Sequence, residues 1–471
     1  MKKIHNNKIR NFLSSIFAGW NEIFFNFFFQ IFLVPIFLYN WETKYYSLWI
    51  IFLTVKGLFA LINTAQRDLI YQKILSIGKN NKKMIIDYTH SSFTVFIFNY
   101  IIIASVIFIA TQTNFICILL NIDLDLYKEL NQSLILLLVP GLFIFSELYI
   151  GIISVFGYYY KFAWLSLNRL IITNTGVVLS VILNANFLQT IITYILLETF
   201  CNLLIFFQFK KILRLKKIIL FKLTFNYFLY QIKNSVIIFF NYIFVYFKTT
   251  GLRLIISFFY TPILMITFVL TRTTANILHQ GIHACFRPML PDVMNLFNKR
   301  NKHKLEKLTD YIGLFLCGII APTTIILCFF MPYFFDYWTN YEVEYNYILF
   351  SVLIQNIFLI SIYLPYENIL KGNNLNKQSI IISIISFLVL FLLIIATNKQ
   401  ENIVFVSYSL IISEIVSFIM VIYFLIRLMK KKNFFWSIKP IYISFLSFSA
   451  SFLGCIYFAS KENDVHIIEI L

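Results

Sequence analysis

Five bases, Lys56, Arg169, Lys248, Arg253 and Arg272, and four acids, Glu22, Glu147, Glu198 and Glu414, lie deep inside long apolar runs of the chain. A charge in hydrocarbon is costly, so each is expected to face a protein interior or a hydrated cavity. Two chemistries fit the set. Guanidinium offers paired donors to phosphate oxygens and lysine adds a mobile point charge, so the five bases suit binding of a diphosphate. The four carboxylates suit ion coupling, because such a group can carry a proton or hold Na⁺. The plainer alternative is that each base pairs with a glutamate across the bundle. Arg272 stands out among the bases, since it lies ten residues past Pro262. At 1.5 Å per residue that is roughly 15 Å, half of a hydrocarbon core about 30 Å thick. Lys233 and Glu367 lie nearer the ends of their runs and are expected to snorkel.

Helical spacing gathers these residues into stripes. Asn11, Ser15, Ala18, Glu22, Asn26 and Gln30 recur every three or four residues, as do Arg272, Asn276, His279, His283 and Arg287. Lys233, Asn241 and Lys248 fall seven or eight apart. Three apolar helices with one polar face each imply a shared hydrated interior. His279 and His283 are spaced i, i+4, but the HExxH pattern is absent and no acidic or Cys ligand lies nearby, so no metal is expected. The six cysteines (Cys117, Cys201, Cys285, Cys317, Cys328 and Cys455) have no CxxC spacing and read as small core residues. Neither a catalytic cluster nor a cofactor motif emerges.

The elements that must position these charges are membrane spans. With 471 residues, 60% hydrophobic, 55 Phe and 13% charged, and a mean hydropathy of +0.79, the chain is not composed like a soluble domain. Runs of about 20 apolar residues predict spans at 11–38, 45–65, 85–110, 133–156, 162–184, 188–209, 231–258, 262–287, 310–334, 347–370, 378–396 and 403–427. A weaker thirteenth lies at 441–459. The first run follows MKKIHNNKIR directly and is too long for a signal-peptide core, so it is expected to be a span.

The net charge of +18 belongs to topology. Most lysines and arginines fall in alternate loops, including Arg67 to Lys83, Lys210 to Lys222, Arg287 to Lys307 and Arg427 to Lys439. That asymmetry predicts a cytoplasmic N-terminus in the plasma (inner) membrane. No compact basic domain remains to bind nucleic acid. The longest outer loop, 111–131, has no catalytic-looking cluster, which speaks against a membrane enzyme. Six spans per half predict two lobes, 1–209 and 231–427, joined by a basic amphipathic linker at 210–230, with 428–471 as a basic linker, candidate span and tail. The stretches after Arg67 and Arg287 align weakly, as parallel repeats or as two similar basic loops.

QIFLVPIFLYNWETKYYSLWIIF, with Gln30, Pro35 and Tyr46-Ser47-Leu48-Trp49, resembles the passage from span 1 to span 2 of Wzx-type polysaccharide flippases of the MOP exporter superfamily. Leu270 to Leu308, with TRT and FRPMLPDV, is similar to the span 8 exit of that family. Ser47 stands where glycine is usual, and Asn63-Thr64-Ala65-Gln66-Arg67 replaces a glycine-rich exit from span 2. The resemblance implies an all-α polytopic membrane protein of MOP/MATE-like architecture. It implies a two-lobed transporter moving undecaprenyl-diphosphate-linked oligosaccharide (for O-antigen or capsule) from inner to outer leaflet by alternating access. The expected partners are that substrate, membrane lipids, H⁺ or Na⁺, and a polysaccharide polymerase. A multidrug or cation exporter of the same superfamily and a membrane enzyme of polysaccharide assembly are the alternatives; the excess of bases in spans 7 and 8 disfavours cationic drugs.

Overall fold

A computed structural model describes the chain except residues 1, 78–80, 114–123, 157, 216–221, 287–292, 294–295, 298–299, 374, 398–401 and 471. Arg287, Pro288, Pro291 and Lys299 of the loop after the eighth run, and Cys117 and Asp123 in the outer loop, therefore lie outside the described residues. The described residues are helical, without strands. Their long helices are α1 (Lys2–Asn40), α2 (Thr43–Ile77), α3 (Lys82–Gln112), α4 (Leu124–Leu136), α5 (Tyr159–Ile182), α6 (Phe187–Leu215) and α7 (Phe228–Lys248). There follow α8 (Leu252–Phe259), α9 (Pro262–Phe286), α10 (Lys302–Phe315), α11 (Ala321–Trp338), α12 (Tyr347–Gly372), α13 (Asn376–Thr397), α14 (Val404–Lys432) and α15 (Lys439–Ile470). In a bilayer every backbone polar group must be satisfied within the segment, which is why apolar runs of this length fold as helices.

Among the described residues, 11 helices are long and apolar enough to cross a membrane, and the weak thirteenth run, as Lys439–Ser460, is one of them. Two expected spans are not. The run 133–156 is broken, because Pro140 lacks an amide donor and Gly141 weakens the helix. After α4 the chain passes through a four-residue turn, Leu138–Gly141, a 3₁₀ segment, Ile144–Tyr149, and a short helix, Ile150–Val155. The run 262–287 forms the unbroken α9, whose Arg272, Asn276 and His279 lower its hydropathy. The run 231–258 is split at residues 249–251 into α7 and α8.

By contacts the chain divides into two compact units: Met1–Tyr246 with Thr250–Phe258, and Phe247–Thr249 with Phe259–Leu471. In the first unit α1 packs on α5, α5 on α6, and α2 on α3. Polar links set the register: Gln66 Nε2 donates to the Ser92 carbonyl at 2.7 Å, and Asn99 Nδ2 to Gln66 Oε1 at 3.1 Å. Within the expected linker, 216–221 lie outside the described residues, and residues 222–227 run as coil and turn. They are clasped to α3, where Thr224 N donates to Thr94 Oγ1 at 3.1 Å and Thr94 Oγ1 to the Thr224 carbonyl at 3.0 Å. Gly57 lets α7 approach α2 closely, because a Cβ there would collide with the Tyr246 hydroxyl, which donates to the Thr54 carbonyl at 2.5 Å.

In the second unit α12 is the central helix, packed against α9, α14 and α15. The last helix is docked by buried polar groups: Gln355 Nε2 donates to Ser451 Oγ at 2.7 Å, and Thr324 and Ser451 share a 2.7 Å hydroxyl contact. Small hydroxyl residues are effective between membrane helices, where lipid gives no hydrophobic drive to association.

Candidate functional site

The intramembrane charges are built into three clusters, and two of them sit where a helix is interrupted. The first lies in the first unit, on the 3₁₀ segment. Glu147 Oε1 accepts from Arg169 Nη1 and Oε2 from Arg67 Nη1, both at 2.9 Å. Arg169 also donates to Asn202 Oδ1 at 3.0 Å, and Arg67 Nε reaches Asp68 Oδ1 at 3.2 Å. Asp68 Oδ2 in turn accepts from the Tyr242 hydroxyl at 2.7 Å. One carboxylate holding two guanidiniums leaves an excess of positive charge, which Asp68 offsets.

The second cluster joins α2 to α6. Lys56 Nζ donates to both Glu198 oxygens at 2.7 Å and to the Tyr194 hydroxyl one turn earlier on α6. Lys56 and Glu198 also line a cavity of about 60 Å³ with Asn63, Tyr100 and the backbone turn at Pro140 and Gly141. Asn63 Oδ1 is buried there without a hydrogen-bond partner. A water needs roughly 10–15 Å³ measured in this way, so the cavity has room for a few.

The third cluster lies in the second unit. Lys248 Nζ meets Glu414 Oε1 at 2.9 Å and the hydroxyls of Ser386 and Ser417 at 3.1 Å each. Glu414 Oε2 accepts from the Tyr363 hydroxyl at 2.6 Å. All three ammonium protons of Lys248 thus have protein acceptors, and in this conformation none remains to offer a phosphate. Beside it, Arg272 donates from Nη1 to the Thr249 carbonyl at 3.1 Å and from Nη2 to the Lys248 carbonyl at 3.2 Å. Those carbonyls end α7, where the next-turn amides are missing, so the guanidinium caps the negative end of that helix.

Two predicted residues stand apart. Arg253, on α8, is half-buried, and among the described residues it has no carboxylate within ion-pair distance; Tyr46 and Tyr246 are its ionisable neighbours. Glu22, on α1, accepts from Ser166 Oγ at 3.3 Å and forms no ion pair among the described residues. The pairing alternative thus describes Lys56, Arg169 and Lys248 with Glu198, Glu147 and Glu414. Sequence reasoning missed Arg67, which was counted with the basic loop although α2 continues past it to Ile77. It also missed Tyr194 and Tyr363. The i, i+4 spacing of Tyr194 to Glu198 is the one signal that could have found the first, whereas Tyr363 reaches Glu414 from another helix.

No protein-family model and no curated sequence matches the chain. Solved structures do. The chain is similar to the lipid II flippase MurJ in its inward closed conformation, with a TM-score of 0.67 and 14% identity over 98% of this chain and 99% of that one. It is similar to an inward-facing multidrug resistance MATE family transporter of the MOP superfamily, with a TM-score of 0.61 and 13% identity over 87% and 96%. The bent form of the Vibrio cholerae MATE transporter VcmN gives 0.54 and 12% over 92% and 100%. At these identities the likeness is one of fold. The chain shares the all-helical fold of these solved structures over nearly its whole length.

Proposed function

We propose that the chain is a flippase that moves an undecaprenyl-diphosphate-linked oligosaccharide from the inner to the outer leaflet of the plasma membrane, for a surface polysaccharide such as O-antigen or capsule. The N-terminus would be cytoplasmic and the lobes would divide near 210–230. No bond is made or broken. The fold likeness to a lipid II flippase and the Wzx-type residues around Tyr46 to Trp49 support the class. Arg253 carries the substrate reading. An unpaired guanidinium in a membrane is expensive to keep, and a diphosphate supplies the paired acceptors it lacks. Arg272 is the next candidate contact. Lys56 can contribute only by exchanging its carboxylate for phosphate, Arg169 through guanidinium donors other than the Nη1 that meets Glu147 and Asn202, and Lys248 only by leaving its shell. For ion coupling, Glu22 is favoured over Glu147, Glu198 and Glu414, which already hold cations.

The test is translocation of labelled lipid-linked oligosaccharide in proteoliposomes by the full chain, with Arg253→Ala and Arg253→Lys. A charge-assisted hydrogen bond contributes about 1.5–3 kcal/mol, so Ala is expected to cost roughly 10- to 150-fold and Lys less. Wild-type rates in Arg253→Ala would sink the reading. Efflux of cationic drugs without lipid translocation would favour the multidrug exporter suggested equally by the MATE likeness.

A further inference from the structure

The cluster around Lys248 has more than an ion pair needs. One carboxylate would neutralise the ammonium, yet two serine hydroxyls from separate helices, Ser386 on α13 and Ser417 on α14, also turn their oxygens to Nζ at 3.1 Å. With Glu414 Oε1 at 2.9 Å they form a three-oxygen shell of single negative charge. The shell is closed: Lys248 is 8% exposed, Glu414 5%, Ser417 2% and Ser386 not at all. The Tyr363 hydroxyl fixes the second carboxylate oxygen at 2.6 Å, so the shell is held in place from α12 as well. Its position adds to this. Lys248 is the last residue of α7, at the helix's negative pole, and a second tethered cation, Arg272, caps the carbonyls of Lys248 and Thr249. The C-terminal ends of helices in membrane proteins commonly hold cations.

We propose that the second unit contains a monovalent-cation site permanently filled by the protein's own ammonium. Lys248 is the resident cation, Glu414, Ser386 and Ser417 are its ligands, and no exchangeable ion binds there in the native protein. The shell distances of 2.9–3.1 Å suit ammonium or a potassium-sized ion. They are longer than the roughly 2.3–2.6 Å that oxygen ligands take around calcium. Removing the ammonium by Lys248→Ala leaves a charged, rigid shell with space for an external cation. The inference is independent of which substrate the chain moves.

Thermal unfolding of the purified full-length protein tests it, in ammonium, potassium, sodium and choline chloride at equal ionic strength. Wild type is expected to unfold at one temperature in all four salts. Lys248→Ala is expected to unfold earlier in choline and to recover, saturably, with ammonium or potassium. Adding Ser386→Ala and Ser417→Ala should remove that recovery. Isolation of Lys248→Ala only when ammonium or potassium is present would support the site equally. The same behaviour of Lys248→Ala in all four salts, folded or not, overturns it. So does a saturable response of the wild type to a small cation that Glu414→Gln abolishes.

Discussion

Each unit contains a lysine, a glutamate and a tyrosine hydroxyl in contact, and the two trios differ in what surrounds them. In the first unit, Lys56 bridges α2 to Glu198 and Tyr194 on α6, and its side chain is 25% exposed beside the small cavity that Asn63 lines. In the second, the Lys248 side chain is 9% exposed and its remaining donors are taken by Ser386 and Ser417. The same three side-chain types thus make a pair that water can reach and a pair that it cannot. The consequence is energetic. An ion pair with water beside it can lose a partner and be rehydrated, whereas a sealed one leaves a bare charge.

The largest effect is expected at the sealed trio. Lys248→Met or Glu414→Met alone should cost about 3–5 kcal/mol in unfolding free energy, while Lys248→Met with Glu414→Met should recover most of it. Equal losses in the single and double variants would remove the distinction between the trios. At the open trio, Lys56→Met should cost less, about 1–3 kcal/mol, because water in the cavity can solvate Glu198. A double-mutant cycle on Lys56 and Glu198 should accordingly give a smaller coupling than one on Lys248 and Glu414. The smallest effect is expected at Asn63→Leu. It removes an orphan acceptor and fills part of the cavity, so stability should hold or rise by up to about 1 kcal/mol. A clear loss there would mean that the cavity requires a polar group at this position.

How much of this could be read from the chain follows from the distances along it. Span positions were legible because an apolar run of bilayer length has one way to satisfy its backbone. The break after α4 was foreshadowed by Pro140-Gly141, but that at 249–251 is marked only by Thr249, Thr250 and Gly251, which many intact helices would tolerate. The set of buried charges was legible too, since each interrupts an apolar run. Their pairing was not. Lys56 and Glu198 are 142 positions apart and Arg67 and Glu147 are 80 apart, and no periodicity within a helix reports on a partner in another. For the same reason Arg272 drew attention by its depth, although it caps α7 through main-chain carbonyls, and Arg253 was one base among five. What distinguishes Arg253 is a missing neighbour, a property that exists only once the helices are packed.

The account turns on that residue. Equilibrium binding of undecaprenyl diphosphate to the purified full-length protein, compared with Arg253→Gln and with the paired neutral variant Lys56→Met with Glu198→Gln, tests it most directly. The expected result is a loss of at least about tenfold in affinity for Arg253→Gln, the cost of one charge-assisted contact, with little change in the paired variant. Undiminished binding by Arg253→Gln, with loss in the paired variant, would contradict it and return the substrate contact to the lysine that the structure shows already neutralised.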